Sequence, residues 1–317
     1  LTFTDTPVVT SPSIYQWQTV ALNGVLFIAY TSNVDRLHLK RIGASVVTRA
    51  GVAEPAAAPT GADTGGAGAY PAPVRYYRTR ETIQVSGVTV ARSEPSDVLT
   101  ATPDGAHVSY TVTKGASASG EVPTHWELEA SADNANFYRI VTTVIGTTTY
   151  ADTAAPSTYA STGTLSETIG DYDTLPAAKY LTVDSDRLIG AGHCTDISQA
   201  SDVWWTPVST DTTGVGNGER LPLTVNNIRT LDNFNGGPVT GVESVSAGAF
   251  IVAKWQGLFR MVRTMDPTNA YDVVVISKTN GAIPGSLVRG LDEAGAPCIY
   301  FLDPSDGPCR IGQGGVQ

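Results

Sequence analysis

The chain has 317 residues, 41% of them hydrophobic, with 32 Gly and 19 Pro against 2 Met, a balance that suits many short strands joined by turns. Thirty carboxylates against twenty Lys and Arg leave a net charge of −10, which excludes a protein that grips nucleic acid by neutralising phosphates. No apolar run reaches the length needed to cross a bilayer as a helix, and the first residues lack a basic, apolar signal pattern.

Residues 13–49 read as strands: Tyr15-Gln16-Trp17-Gln18-Thr19-Val20, then Val25 to Tyr30, then Arg36-Leu37-His38-Leu39. They form the first of four strand-turn-strand cassettes, with its turn at Asn23-Gly24. Residues 53–69 shift to Ala, Gly and Pro, including Glu54-Pro55-Ala56-Ala57-Ala58-Pro59, and read as a linker that packs no core. Residues 70–155 then carry seven short strands, at 74–79, 88–92, 98–101, 107–113, 124–130, 137–144 and 147–151, the pattern of a β-sandwich. Within it, Trp126-Glu127-Leu128-Glu129 alternates like a half-buried strand, with Trp126 in the core.

After Ala155 a Ser/Thr-rich stretch leads to Tyr172, and the cassettes resume at 180–192 around Asp184-Ser185-Asp186, at 250–262 around Gln256-Gly257, and at 298–311 around Pro304-Ser305-Asp306-Gly307. Such units build β-propellers and related sheet arrays. The strands near Gly248 and Ala296 lie 48 residues apart and those near Ala178 and Gly248 lie 70 apart, so the longer interval calls for an inserted loop, placed at 210–220. The expected fold is all-β, with propeller-like sheets in 1–52 and 156–317 split by the sandwich of 70–155. Leu1 in place of Met, and an end at Gly314-Gly315-Val316-Gln317 without a closing strand, suggest a segment of a longer polypeptide.

Chemistry-bearing residues are sparse. Cys194, Cys298 and Cys309 form no CxxC pair; Cys298 and Cys309 flank one hairpin whose turn puts them out of register, so free thiols are expected. His38, His107, His125 and His193 show no ligand spacing, and His193 and Cys194 point to opposite faces of a strand. The glycine-rich residues 213–218 lack the Lys of a phosphate loop. Residues 131–138 resemble an Asp-box turn, with Ala135 where Gly is usual, and such a turn is structural. Asp184/Asp186 and Asp303/Asp306 have the composition of a calcium loop or a glycosidase pair, but both sit at hairpin turns, where Asp bonds its own backbone. No catalytic residue, cofactor or metal ligand is assigned. Trp204-Trp205, Tyr76-Tyr77 and Trp255 offer an aromatic platform for sugars or a subunit interface; Tyr76, Trp204, Trp205 and Trp255 are the expected interface aromatics.

Two resemblances follow from particular residues. Ser93-Glu94-Pro95-Ser96 with Val98-Leu99-Thr100, and 126–134 with Phe137-Tyr138-Arg139, resemble the last strand and middle hairpin of a fibronectin type III module, an immunoglobulin-like sandwich. Because Val74-Arg75-Tyr76-Tyr77-Arg78 precedes that hairpin, the module looks permuted. The cassettes resemble the β-propeller-bearing tail proteins of tailed bacteriophages, the tubular or nozzle type. The likeness is carried by Tyr180-Leu181-Thr182-Val183, Arg187 to Gly192, Ser201 to Val208, Gly236 to Gly241, Phe250 to Lys254, Gly257 to Met261 and Ile299-Tyr300-Phe301-Leu302.

That resemblance implies a non-enzymatic virion component assembled in the host cytoplasm. It further implies a ring of identical subunits, a hexamer by family likeness, that contacts neighbouring tail or adaptor proteins. DNA would pass without specific binding through a channel whose acidic walls repel it. The rival readings are a secreted carbohydrate-binding or glycoside-hydrolysing propeller with an accessory sandwich, and, more weakly, a cell-surface adhesion module.

Overall fold

The computed structural model describes residues 17–30, 36–41, 44–167, 169–208, 227–232, 236–266, 270–312 and 315–317. The expected strand residues 13–16, the interval 210–220 and its glycine-rich stretch 213–218 lie outside the described residues. The fold is all-β, in two units: residues 51–174 form one, and the described residues on either side of them form the other. Among the described residues no helix is long and apolar enough to cross a membrane.

The chain opens with an antiparallel sheet of β1 (Trp17–Leu22), β2 (Val25–Tyr30), β3 (His38–Arg41) and β4 (Thr48–Arg49), paired in that order. Asn23 and Gly24 both take positive φ, 47° and 78°, the mirror-image turn whose twist matches a two-residue hairpin. The inserted unit follows with β5 (Thr60–Ala67), β6 (Arg75–Val85), β7 (Val88–Arg92), β8 (Leu99–Ala101), β9 (His107–Thr113), β10 (His125–Ser131), β11 (Tyr138–Val144), β12 (Thr149–Asp152) and β13 (Thr164–Leu165). Its larger sheet runs β13-β11-β10-β6-β7, with β8 also on β6, and its smaller sheet runs β12-β9-β5. Tyr77, Trp126, Leu128 and Ala130 of the larger sheet meet Tyr110 and Val112 of the smaller in one core, the two layers of a sandwich.

Residues 60–67, inside the stretch read as a linker, are a strand. Gly61 explains how so apolar-poor a segment pairs: a Cβ there would sit 2.5 Å from the Tyr110 ring, so only glycine lets β5 lie this close to β9. The tyrosine-bearing β6 lies between β10 and β7 in the larger sheet.

Beyond the insert come β14 (Ala178–Asp184), β15 (Arg187–His193), β16 (Asp202–Trp205) and β17 (Ile228–Thr230), then β18 (Val239–Ser246), β19 (Ala249–Lys254), β20 (Gly257–Arg263) and β21 (Tyr271–Ser277), and finally β22 (Val288–Leu291), β23 (Pro297–Asp303), β24 (Gly307–Gly312) and β25 (Gly315–Val316). Each set of four is an antiparallel meander in chain order, as in propeller blades. The sheets start at Ala178, Val239 and Val288, so the long interval falls between the second and third sheets.

Alternation along each strand supplies the cores between sheets. Leu181, Leu188 and Trp204 point from the second sheet to Phe27, Leu37 and Leu39 of the first. Tyr180, Ile189 and Trp205, on the other face, pack with Phe250, Val252 and Tyr271 of the third. Ile251, Ala253 and Leu258 meet Ile299, Phe301 and Ile311 of the fourth. Each such buried Leu, Ile, Val or Phe side chain is worth about 1.5–3 kcal/mol. Gly190 makes room for the first of these cores, since a Cβ there would stand 2.1 Å from the Trp204 ring.

Polar ties reinforce the stack. Asp184, at the tip of β14, accepts the Gly248 N–H at 2.9 Å and the Tyr271 hydroxyl at 2.7 Å. Buried Lys254 donates from Nζ to the carbonyls of Leu231 and Asp232, each at 2.8 Å, and burial pulls its pKa down.

Candidate assembly surface

The rings expected at an interface divide. Trp204 and Trp205 are 3% and 0% exposed, so neither points outward as the pairing implied. Alternation does send them to opposite faces, but the second sheet is covered on both, by the first sheet and by the third. Tyr76 is half-buried next to fully buried Tyr77. Trp255 is 45% exposed because it sits, with Gln256, in the two-residue turn between β19 and β20, one residue earlier than the expected Gln256-Gly257.

An open apolar surface lies elsewhere. The inward residues of β23, Ile299 and Phe301, close the core against the third sheet, while the alternating Tyr300 and Leu302 stand outward at 41% and 44% exposure. Val288, opposite Tyr300 in the register, is exposed beside them. The Tyr300 ring is held across β22: its hydroxyl donates to the Leu291 carbonyl at 3.0 Å, and Gly290 lacks the Cβ that would stand 2.8 Å from the ring. Arg310, opposite Tyr300, pairs with Glu293 and donates from Nε to Gln317 Oε1 at 2.9 Å, a polar rim to the patch. Separately, the edge strand β21 of the third sheet exposes Val273, Val274 and Val275.

The carboxylates singled out by sequence are engaged in turns. Asp303 accepts the backbone N–H groups of Ser305, Asp306 and Gly281 at 2.8, 3.0 and 2.8 Å. Burial pushes its carboxyl up, but those donors outweigh it and hold the pKa below the ordinary value. Asp306 accepts from the Asn280 side chain at 2.9 Å, and exposed Asp186 stands in the β14–β15 turn at φ 60°. Asp133 takes the N–H groups of Asn136 and Ala135 at 2.8 and 2.9 Å, which with the Asn136 side chain depress its pKa strongly. The Asp-box-like segment is therefore a capped turn.

The three cysteines are free thiols, as the register requires: Cys309 stands opposite Phe301, three residues from Cys298 and on the other face. His193 Nδ1 accepts the Asp196 N–H at 2.9 Å, while Cys194 donates to the Tyr30 carbonyl at 3.3 Å and burial pushes its thiol pKa up to about 11.

The inserted unit holds two buried polar networks that sequence reasoning missed. Glu129, 1% exposed, bridges two arginines, accepting from Arg78 Nε at 2.5 Å and from Arg80 Nε at 2.8 Å. Glu127 Oε1 takes Arg92 and Arg139, both at 3.0 Å. Arg78 stacks 4.0 Å from the Phe137 ring centroid, and Arg80 and Arg92 face Tyr172. Strand β10, read as half-buried, is thus covered on both faces, by the core on one and by paired arginines on the other. The alternation of Glu127 and Glu129 against Arg78 and Arg80 was the available signal.

In the second network the hydroxyls of Tyr70, Tyr77 and Tyr159 all donate to Asp152 Oδ2, at 2.9, 2.6 and 2.5 Å. Burial first, then the Asp152 charge, drives the Tyr77 pKa far up and that of Tyr159 to about 12, so these phenols remain donors. Asp63, Asp104 and His107 also gather, each placing a ligand-type atom within 4.8 Å of the others. Asp104 accepts the Ala106 N–H at 2.8 Å and pairs with His107 Nδ1 at 2.9 Å, the pattern of a side-chain-capped turn.

No protein-family model matches the chain. No curated protein sequence matches it either. A solved structure of apo AztD from Citrobacter koseri aligns over 95% of this chain and 70% of its own, at 11% identity and a TM-score of 0.27.

Proposed function

We propose that the chain is a structural subunit of a bacteriophage tail, part of a ring-shaped nozzle, tube or adaptor through which DNA passes. The observation that supports this reading most is the outward face of the fourth sheet. Facing surfaces of successive sheets are closed by apolar cores, whereas Val288, Tyr300 and Leu302 stay open, as a surface that packs against another subunit would. The sequence resemblance of the cassettes to tail propellers supports the virion assignment, and the net charge of −10 suits a lumen that must not hold DNA. The carbohydrate-active alternative loses support, since Trp204 and Trp205 are core residues and Asp303 is bonded to its own turn.

Mass photometry of the purified chain, alone and mixed with other tail proteins, tests the assembly. Rings are expected, and Tyr300→Glu with Leu302→Lys should abolish them without altering the circular dichroism spectrum. A strict monomer under every condition would refute it. Gold-labelled antibody on virions should decorate the tail.

A further inference from the structure

Between the third and fourth sheets, at the end where β18 turns into β19, lies a cleft of about 310 Å³. Among the described residues it is lined by Val245, Ser246, Ala249, Arg260, Pro297 and Gly312. Its volume is that of about ten waters, at the lower limit of small-molecule sites. Val245, Ala249 and Pro297 make one side of it apolar.

Arg260 is the one charged side chain among those residues. The register of β19 with β20 sets Arg260 opposite Ile251, whose side chain belongs to the core with the fourth sheet, so both point into the space between the sheets. One Nη2 hydrogen bond, to the Gly312 carbonyl at 3.2 Å, holds the guanidinium at the cleft. No carboxylate lies within ion-pair distance of Arg260 among the described residues. Glu243, on the same face of the sheet, is pushed up in pKa by burial and draws its compensating positive charge from Arg289. An arginine presents five N–H donors in a planar fork, and Nη2 gives only one of its two hydrogens to Gly312, so its second N–H, with Nε or with Nη1 beside it, leaves one two-donor edge for an incoming acceptor.

The geometry points to a binding site for a small organic carboxylate, its two oxygens taken by Arg260 and its apolar body resting on Val245, Ala249 and Pro297. A planar guanidinium matches a carboxylate edge, and exclusion of water by the apolar walls strengthens the pair. Inorganic phosphate would engage the same fork but leave those walls uncovered. The site is independent of the tail-assembly reading, because it lies within one chain and away from the outward face of the fourth sheet.

Titration calorimetry of the whole chain with benzoate, its neutral isostere benzamide and inorganic phosphate tests the assignment. Benzoate should saturate one site per chain, with benzamide and phosphate weaker by about tenfold or more. Arg260→Gln should weaken benzoate binding by about tenfold or more. Ala249→Leu, which fills the cleft and keeps the guanidinium, should also weaken it, with the thermal midpoint of each variant checking that it folds. Equal binding of benzamide or phosphate, unchanged affinity in folded Arg260→Gln or Ala249→Leu, or no saturable heat with benzoate would each overturn the proposal. If Arg260→Gln fails to fold, Ala249→Leu and the two control ligands decide.

Discussion

Replacing Glu129 by Leu removes the acceptor shared by two arginines without opening a large void. In the native unit Arg78 and Arg80 are 7% and 0% exposed at their side chains, and Glu129 takes their Nε groups at 2.5 and 2.8 Å. After the change Arg80 keeps the Ser93 carbonyl at 2.9 Å and a distant Glu94 at 3.9 Å, while Arg78 keeps the face of Phe137. Breaking one buried pair typically costs about 3–5 kcal/mol, and two cations share this acceptor, so the upper half of that range is expected. For a unit of this size that lowers the midpoint by roughly 10–20 °C.

Scanning calorimetry of the full chain would read the midpoint. Hydrogen exchange of peptides from β6 and β10 would assign the loss to the inserted unit. The triple change Arg78→Met, Arg80→Met, Glu129→Leu removes the charges together and should recover stability to within about 1 kcal/mol of the native chain, because an apolar replacement often matches a buried ion pair. A loss below about 1 kcal/mol in Glu129→Leu, or a triple variant worse than the single one, would refute the reasoning.

Trp204→Ala and Trp205→Ala should each cost about 3–5 kcal/mol in urea denaturation, whereas Trp255→Ala should stay within about 0.5 kcal/mol; equal effects at the three would contradict the placement of the rings. The Asp104 hydrogen bond raises the pKa of His107 above its ordinary 6.5, so an NMR titration should place its midpoint above that value, and Asp104→Asn should return it. Since the folded-state pKa is raised, the stabilisation is full below pH 6.5 and fades as pH rises through the folded midpoint. Iodoacetamide at mildly alkaline pH should modify half-exposed Cys309, whose thiol is raised by burial and by the Asp303 and Asp306 charges, before Cys194, which burial pushes up to about 11, and before buried Cys298.

Strands and turns were legible because a period of two and the residues of tight turns are local properties. Asn23-Gly24 and Ser185-Asp186 take the positive φ their hairpins need, and the out-of-register cysteines followed from the turn alone. How many faces of a strand are covered is not local. Alternation sorts Trp204 from Trp205 and Glu127 from Leu128, but whether the second set meets water depends on what the rest of the chain lays over it. The third sheet supplies that cover for one tryptophan, and Arg78, Arg80, Arg92 and Tyr172 supply it for the glutamates.

Thr60–Ala67 fails for the opposite reason: it has almost no apolar side chain to register in a pattern, and its place comes from backbone pairing that Gly61 permits beneath Tyr110. The same logic puts the outward apolar face on the fourth sheet. Tyr300 and Leu302 alternate with Ile299 and Phe301 just as Trp204 alternates with Trp205, and they differ only in lacking a further sheet laid over them among the described residues. In this architecture exposure of an apolar ring therefore reports a sheet's place in the stack more than its own sequence, and the fourth sheet is where a subunit contact should be sought.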